Sequence, residues 1–220
     1  PDRDRFVLSK GHCAPALYAT LAERGFFDKE ELKSLRHIGA MLQGHPCIHI
    51  PGVDMSSGSL GQGISAACGM ALAAKIDNAP YRVYTILGDG EIEEGQVWEA
   101  AMFAAQYRLD SLVAIVDNNG LQIDGKLSDV CSPEPIPEKF EAFGWHVIRM
   151  DAHDFDSIEA AMQEAETIVG KPVAIIQKSV KGKGVSFMEN QVGWHGKAPN
   201  DAEYVQAMAE LTAQLKELEG

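Results

Sequence analysis

One pattern constrains the fold more than any other: short apolar runs alternate with segments of helical periodicity. The runs at 83–87 (VYTIL), 112–116 (LVAIV) and 173–177 (VAIIQ) read as strands, and 145–149 reads as a fourth. Between and around them, 96–107, 137–143 and 155–169 carry helical spacing. Strands that are apolar on both faces and alternate with helices belong to a mostly parallel sheet covered by helices on both faces, an α/β architecture. Before this block, 13–24 reads as a helix ended by Gly25, and Asp28 caps a short charged helix at 29–35. Residues 61–75 form the most apolar helix candidate, rich in Ala, Gly and Met. Such a helix is expected to be buried against the sheet or against another chain. Two segments read as long loops, 36–58 with three His, two Pro and four Gly, and 179–200; a charged helix at 202–220 follows. No internal repeat divides the chain, which reads as a single domain over 1–220.

Composition removes several classes of function. The 220 residues carry a net charge of −13, which disfavours binding of nucleic acid or an anionic membrane through bulk electrostatics. Any bound anion must therefore be held by a local arrangement of Lys, His, metal or backbone N–H groups. No apolar run is long enough to span a bilayer. The four cysteines are scattered, with no CxxC pair, as expected for a reducing, cytoplasmic setting.

The chemistry-bearing residues stand where strands end. The strand at 83–87 runs into Gly88-Asp89-Gly90, and the strand at 112–116 runs into Asp117-Asn118-Asn119, with one helix between them. A strand–helix–strand crossover in a parallel sheet finishes both strands on one edge, so Asp89 and Asn119 are expected to meet at the carboxyl edge, where open α/β sheets bind ligands. A carboxylate, an amide oxygen and a main-chain carbonyl near Leu121 suit Mg²⁺, which requires hard oxygen ligands and shares phosphate oxygens with its substrate; Ca²⁺ or Mn²⁺ could substitute. Gly88 and Gly90 let backbone N–H groups approach a phosphate without Cβ interference. Alone, each piece is an ordinary turn; together, at this spacing, they favour a metal–diphosphate site.

Gly88-Asp89-Gly90, 27 residues, then Asn118-Asn119 is similar to the signature of thiamine-diphosphate enzymes. Four further segments resemble transketolases: Ser9-Lys10-Gly11-His12, Gly44-His45-Pro46, the stretch from Pro51-Gly52-Val53 to Gly58-Ser59-Leu60-Gly61-Gln62-Gly63, and Lys181-Gly182-Lys183-Gly184 with Trp194-His195-Gly196. The chain is identified as a member of that family, its thiamine-diphosphate-binding half. The resemblance implies Asp89, Asn119 and the Leu121 carbonyl as metal ligands, and Gly90 against the diphosphate. It implies His12 and Lys181 beside the cofactor, His195 at the diphosphate assisting proton transfer, and His45 on the donor's hydroxyls. It implies Gly58, Ser59 and Leu60 covering the aminopyrimidine, Ile123 against the thiazolium, and Glu94 in a proton relay with a partner domain. Glu91 and Glu93 read only as acids favoured at a helix start, and His37, His49, His146 and His153 as solvent-facing.

The resemblance also implies a second, pyrimidine-binding domain carrying the Glu that activates the cofactor. It is expected as a separate C-terminal transketolase subunit in an α2β2 heterotetramer. Relatives have an upstream helix and a Gly-His-Pro segment with a further His, not seen in this sequence, so either an upstream segment is missing here or the chain works with a depleted site. The implied activity is transfer of a two-carbon ketol group from a ketose phosphate to an aldose phosphate, as in the pentose phosphate pathway. A 2-oxo acid dehydrogenase or decarboxylase component shares the metal signature but does not need His45 and His195. A non-catalytic cofactor-binding remnant is the third alternative.

Overall fold

The computed structural model describes residues 2–219. Its main sheet is built from β1 (Arg5–Leu8), β2 (Val83–Gly88), β3 (Leu112–Asn118), β6 (His146–Asp151) and β7 (Val173–Lys178). These five strands are all parallel and lie in the order β1-β2-β3-β7-β6. The parallel, helix-covered sheet is the expected one. The period-2 pattern sorts the side chains into two cores. Leu112, Ala114 and Val116 of β3 join one cluster, and Val113 with the half-buried Ile115 joins the other.

On the first face, α2 (Gln62–Asp77), α3 (Gly95–Gln106) and α5 (Ile136–Ala142) cover the sheet through Ile64, Ala67, Ala71, Val97, Ala101, Ala104 and Phe140. Small residues on α2 and α3 let both helices sit close to the strands and to each other. On the second face, α6 (Phe155–Thr167) packs Ala161 and Ala165 onto Ile148, Val173 and Ile175. The last helix, α7 (Asp201–Glu219), buries little beyond Ala207.

Three features differ from the sequence reading. The edge strand β1 has no counterpart there; it is four residues long and pairs with Val83–Ile86 of β2. Past β3 the chain makes a hairpin, β4 (Leu121–Gln122) with β5 (Gly125–Lys126), then a short helix α4 (Leu127–Val130). Helix α2 is not buried all round: Gly69, Ala73 and Ile76 lie exposed, as do Met102, Phe103 and Tyr107 on and just after α3.

A satellite core of Ala14, Tyr18, Leu42 and Ile50 lies under loop 36–58, anchored by α1 (Ala14–Glu23). Tyr18 is fully buried, and its hydroxyl lies 2.9 Å from the carbonyls of both Gln43 and His45, donating between them. The Gly44-His45-Pro46 segment is thereby held from beneath.

Candidate active site

The parallel pairing of β2 with β3 sets Gly88 opposite Asp117, so both strands end on one edge. Asp89 follows immediately and is 2% exposed. Its Oδ1 accepts the Gly90 N–H at 2.9 Å, while Oδ2 accepts the N–H groups of Asn119 at 2.8 Å and Gly120 at 2.6 Å. The Asn119 side-chain oxygen in turn accepts the Leu121 N–H at 3.0 Å. The expected meeting of Asp89 with Asn119 is therefore realised. Burial pushes the Asp89 carboxyl above its ordinary value, opposed by the Gly120, Gly90 and Asn119 N–H groups and reinforced by Asp117. A divalent cation at this point would favour the ionised form. Among the described residues no cluster of three His, Cys, Asp or Glu could hold a metal. The donor set here is made of oxygens, hard and suited to Mg²⁺.

Opposite lies a set of cations. Lys10, just past the end of β1, forms an ion pair with Asp117, which also accepts the Ser179 hydroxyl. Lys181 Nζ is 3.3 Å from His195 Nδ1; with the ammonium donating, His195 carries its proton on Nε2. The His195 ring stacks on His12 at 5.3 Å between centroids. Lost hydration, then His195, Lys10, Lys181 and His45, push the His12 imidazole down to about 4. His195 is lowered too, by lost hydration and then by Lys181 and Lys10. Both rings are thus neutral near pH 7.

The cleft between these groups encloses about 630 Å³, in the range of small-molecule sites. His12, Gly58, Leu60, Asp89, Gly90, Asn119, Leu121, Ile123, Lys181 and His195 all line it. Ile123 is 64% exposed on the hairpin turn. The covering loop is pinned to β1: Ser57 Oγ donates to the Leu8 carbonyl at 2.6 Å, and Asp54 accepts the Phe6 N–H at 2.9 Å and pairs with Arg3. Gly58 has φ +153°, and a Cβ there would sit 2.8 Å from the His45 ring. His45 therefore abuts the loop at the rim without lining the cleft. Ser59 and Glu94 do not line it either. Glu94 is exposed at the head of α3, where Gly61 closely approaches it.

Other lining residues were given no role in the site by the sequence: Lys10, Glu91, Asp117, Gln122, His153 and Ser179. His153, read as solvent-facing, accepts the Val180 N–H at 2.8 Å and so anchors the start of the Lys181 loop. Asp117 had one signal available, a carboxylate closing an apolar strand directly before Asn118-Asn119.

Carboxylate and amide oxygens at two parallel strand tips, in one cleft with lysines and neutral imidazoles, define an α/β protein with a site suited to an anionic ligand. The sequence matches the family described as transketolase, thiamine diphosphate binding domain, over residues 1–216. The chain belongs to that family. It is 49% identical over 212 residues to the 6-deoxy-6-sulfo-D-fructose transketolase subunit SqwG of Clostridium sp. (strain MSTE9), covering 96% of this chain and 77% of that one. It is 44% identical to an apulose-4-phosphate transketolase subunit of Phocaeicola vulgatus, covering 99% of this chain and 77% of the relative. Human transketolase is 45% identical over 98% of this chain, which spans 34% of the human protein. Among solved structures, transketolase from Campylobacter jejuni superposes with a TM-score of 0.91 at 32% identity, over 96% of this chain and 34% of that one. The chain thus spans about three quarters of the named subunits and about a third of the longer transketolases.

Proposed function

We propose that this chain is the diphosphate-binding subunit of a two-chain transketolase that moves a two-carbon ketol group from a ketose phosphate to an aldose phosphate. The observation that carries the reading is the Asp89 carboxylate bonded to the Asn119 and Gly120 N–H groups, across a cleft from Lys181 and His195. Asp89, Asn119 and the Leu121 carbonyl would hold Mg²⁺, and Lys181 and His195 would hold the diphosphate; the N–H groups of Gly88, Asp89 and Gly90, expected to face a phosphate, are instead bonded to Glu91, Asp117 and Asp89, so Gly88 and Gly90 would contribute room and not donors. When bound, thiamine diphosphate supplies the electron sink for carbon–carbon cleavage. The chain's own residues do the rest. His12, held neutral, would take a proton from a donor hydroxyl, and His195, its Nδ1 accepting from Lys181, would present its Nε2–H to the diphosphate and assist that transfer. His45 would hydrogen-bond the hydroxyls of the ketose. Leu60 and Ile123 would shield the reacting atoms from water.

A separate pyrimidine-binding chain in an α2β2 assembly is the proposed partner. Two relatives are named as subunits, and α2, α3 and the residue after α3 expose Ile76, Met102, Phe103 and Tyr107. Exposed Glu94 at the head of α3 would meet the partner's carboxylate in a proton relay. No helix among the described residues is long and apolar enough to cross a membrane, and the four cysteines are free; a cytoplasmic location is proposed on that footing. Mixed with its partner chain, the protein should convert xylulose 5-phosphate and ribose 5-phosphate when thiamine diphosphate and Mg²⁺ are added. Asp89→Ala should abolish the conversion. Full turnover by that variant would refute the metal assignment, and turnover of pyruvate in place of sugar phosphates would move the chain to the 2-oxo acid enzymes.

A further inference from the structure

Glu91 sits two residues past Asp89 and is 2% exposed. Its carboxylate faces inward and accepts three hydrogen bonds from three separate parts of the chain. Oε1 takes the Ser9 hydroxyl and the Gly61 N–H, the latter at 2.9 Å; Oε2 takes the Gly88 N–H at 3.0 Å. An acid placed only for a helix dipole would point to water. This one is buried, and the ion pairs of the described residues do not include it. A buried carboxylate without a counter-cation is costly unless its lone pairs are satisfied, so the three donors are what make it tolerable.

The donors are not equivalent to three arbitrary contacts. Ser9 follows β1 and precedes Lys10 and His12. Gly61 opens α2 in a left-handed conformation, φ +79°, and follows Leu60 of the covering loop. Gly88 ends β2 directly before Asp89. Sheet pairing fixes β1 to β2 but does not reach Gly61. Asp89 ties the β2 tip to the β3 tip, and Glu91 ties the same β2 tip to β1 and to the cofactor loop. We propose that Glu91 is a positioning residue: its buried carboxylate holds the Gly88–Gly90 backbone, the Leu60–Gly61 turn and the Ser9–His12 segment in the one arrangement that accepts the diphosphate. The proposal rests on the thiamine-diphosphate reading of the site.

An amide cannot replace this carboxylate. In Glu91→Gln one oxygen still accepts, but the NH₂ group faces a donor N–H. The test is calorimetric titration of thiamine diphosphate, at saturating Mg²⁺, into the two-chain complex of wild type, Glu91→Gln and Ser9→Ala, with kcat measured at saturating cofactor. Glu91→Gln should weaken cofactor binding by roughly tenfold or more, equivalent to about 1.4 kcal/mol. Its kcat at saturating cofactor should fall by a smaller factor than its affinity for the cofactor. Ser9→Ala, which removes one donor of three, should weaken binding by a smaller factor and decides the matter if Glu91→Gln does not fold. A purely structural role would lower the number of binding sites and kcat together while leaving the affinity unchanged. That pattern, or wild-type affinity in both variants, overturns the proposal. Absence of thiamine diphosphate binding by the wild type would overturn the site reading itself, and this inference with it.

Discussion

Replacing Lys10 with Met removes the cation from a pair that is almost dry. The Lys10 and Asp117 side chains are only 13% and 18% exposed. Lys10 is held above its ordinary value, its burial outweighed by Asp117, and Asp117 is held below its own, its burial outweighed chiefly by Lys10 and then by Ser179. Breaking a buried pair by removing one partner costs about 3–5 kcal/mol, because the remaining charge is left uncompensated. Here Ser179 still donates to Asp117 and some water reaches the site, so a loss of about 2–3 kcal/mol is expected at pH 7. For a chain of this size that lowers the melting temperature by roughly 5–10 °C. The loss should shrink as the solution is acidified. Asp117 has a depressed folded pKa, so its stabilising contribution is present above its unfolded value and disappears as pH falls through the folded one. Below that point the wild type has lost what the variant never had, and the two stability curves should converge. The assay is urea denaturation of wild type, Lys10→Met, Asp117→Leu and the double variant from pH 7 down to about pH 2, since the folded Asp117 value lies below 3.8. The double variant should recover most of the single-variant loss, since a well-packed apolar pair avoids both desolvation penalties. A strictly additive cycle, or a Lys10→Met deficit independent of pH, would refute the account of this pair.

Further perturbations probe other parts of the site. Gly58→Ala forces a Cβ to within 2.8 Å of the His45 ring at a left-handed backbone, which should cost about 1–3 kcal/mol in thermal unfolding and displace His45; an unchanged melting curve would contradict the close approach. By NMR, the His12 ring should titrate near 4, below the ordinary 6.5. Because the unfolded chain takes up that proton first, stability should fall as pH drops from about 6.5 towards 4; a midpoint near 6.5 would show that burial and the neighbouring cations do not act on the ring. Phe103→Asp, on the bare face of α3, should leave the fold intact and weaken assembly with the partner chain in size-exclusion chromatography. Unaltered assembly would move the interface elsewhere.

Much of the fold could be read from the sequence because local pattern and tertiary role agree there. The run Leu112–Val116 is apolar because both faces of β3 are covered, and the two strand tips follow from topology alone. The meeting of Asp89 with Asn119 was legible for the same reason. Edge strand β1 was not. With Arg5 at its start and only Val7 and Leu8 buried, it is a strand by virtue of the β2 backbone beside it. The two-residue strands β4 and β5 are too short to carry a period. Lys10 and Asp117 stand 107 positions apart, and Glu91 meets partners 82 and 30 positions away. No window of sequence contains those pairings. Resemblance named His45, but the buried Tyr18 that holds its backbone becomes visible only in the folded chain.

A net charge of −13 opposes the binding of a diphosphate at long range, and the arrangement of the site resolves the conflict. Charges on the outer surface act through water and salt, which screen them within roughly 8–10 Å. Inside the cleft the balance is local. Asp117 is neutralised by Lys10, Glu91 has its charge spread over three donors, and Asp89 accepts the Gly90, Asn119 and Gly120 N–H groups. Lys181 remains to face the ligand, with two imidazoles that are neutral and so neither attract nor repel it strongly. Affinity for the diphosphate should therefore depend steeply on Mg²⁺ and on Lys181, and only weakly on ionic strength between roughly 0.05 and 0.3 M. A steep salt dependence at saturating Mg²⁺ would mean that the surface field, and not the cleft, governs binding.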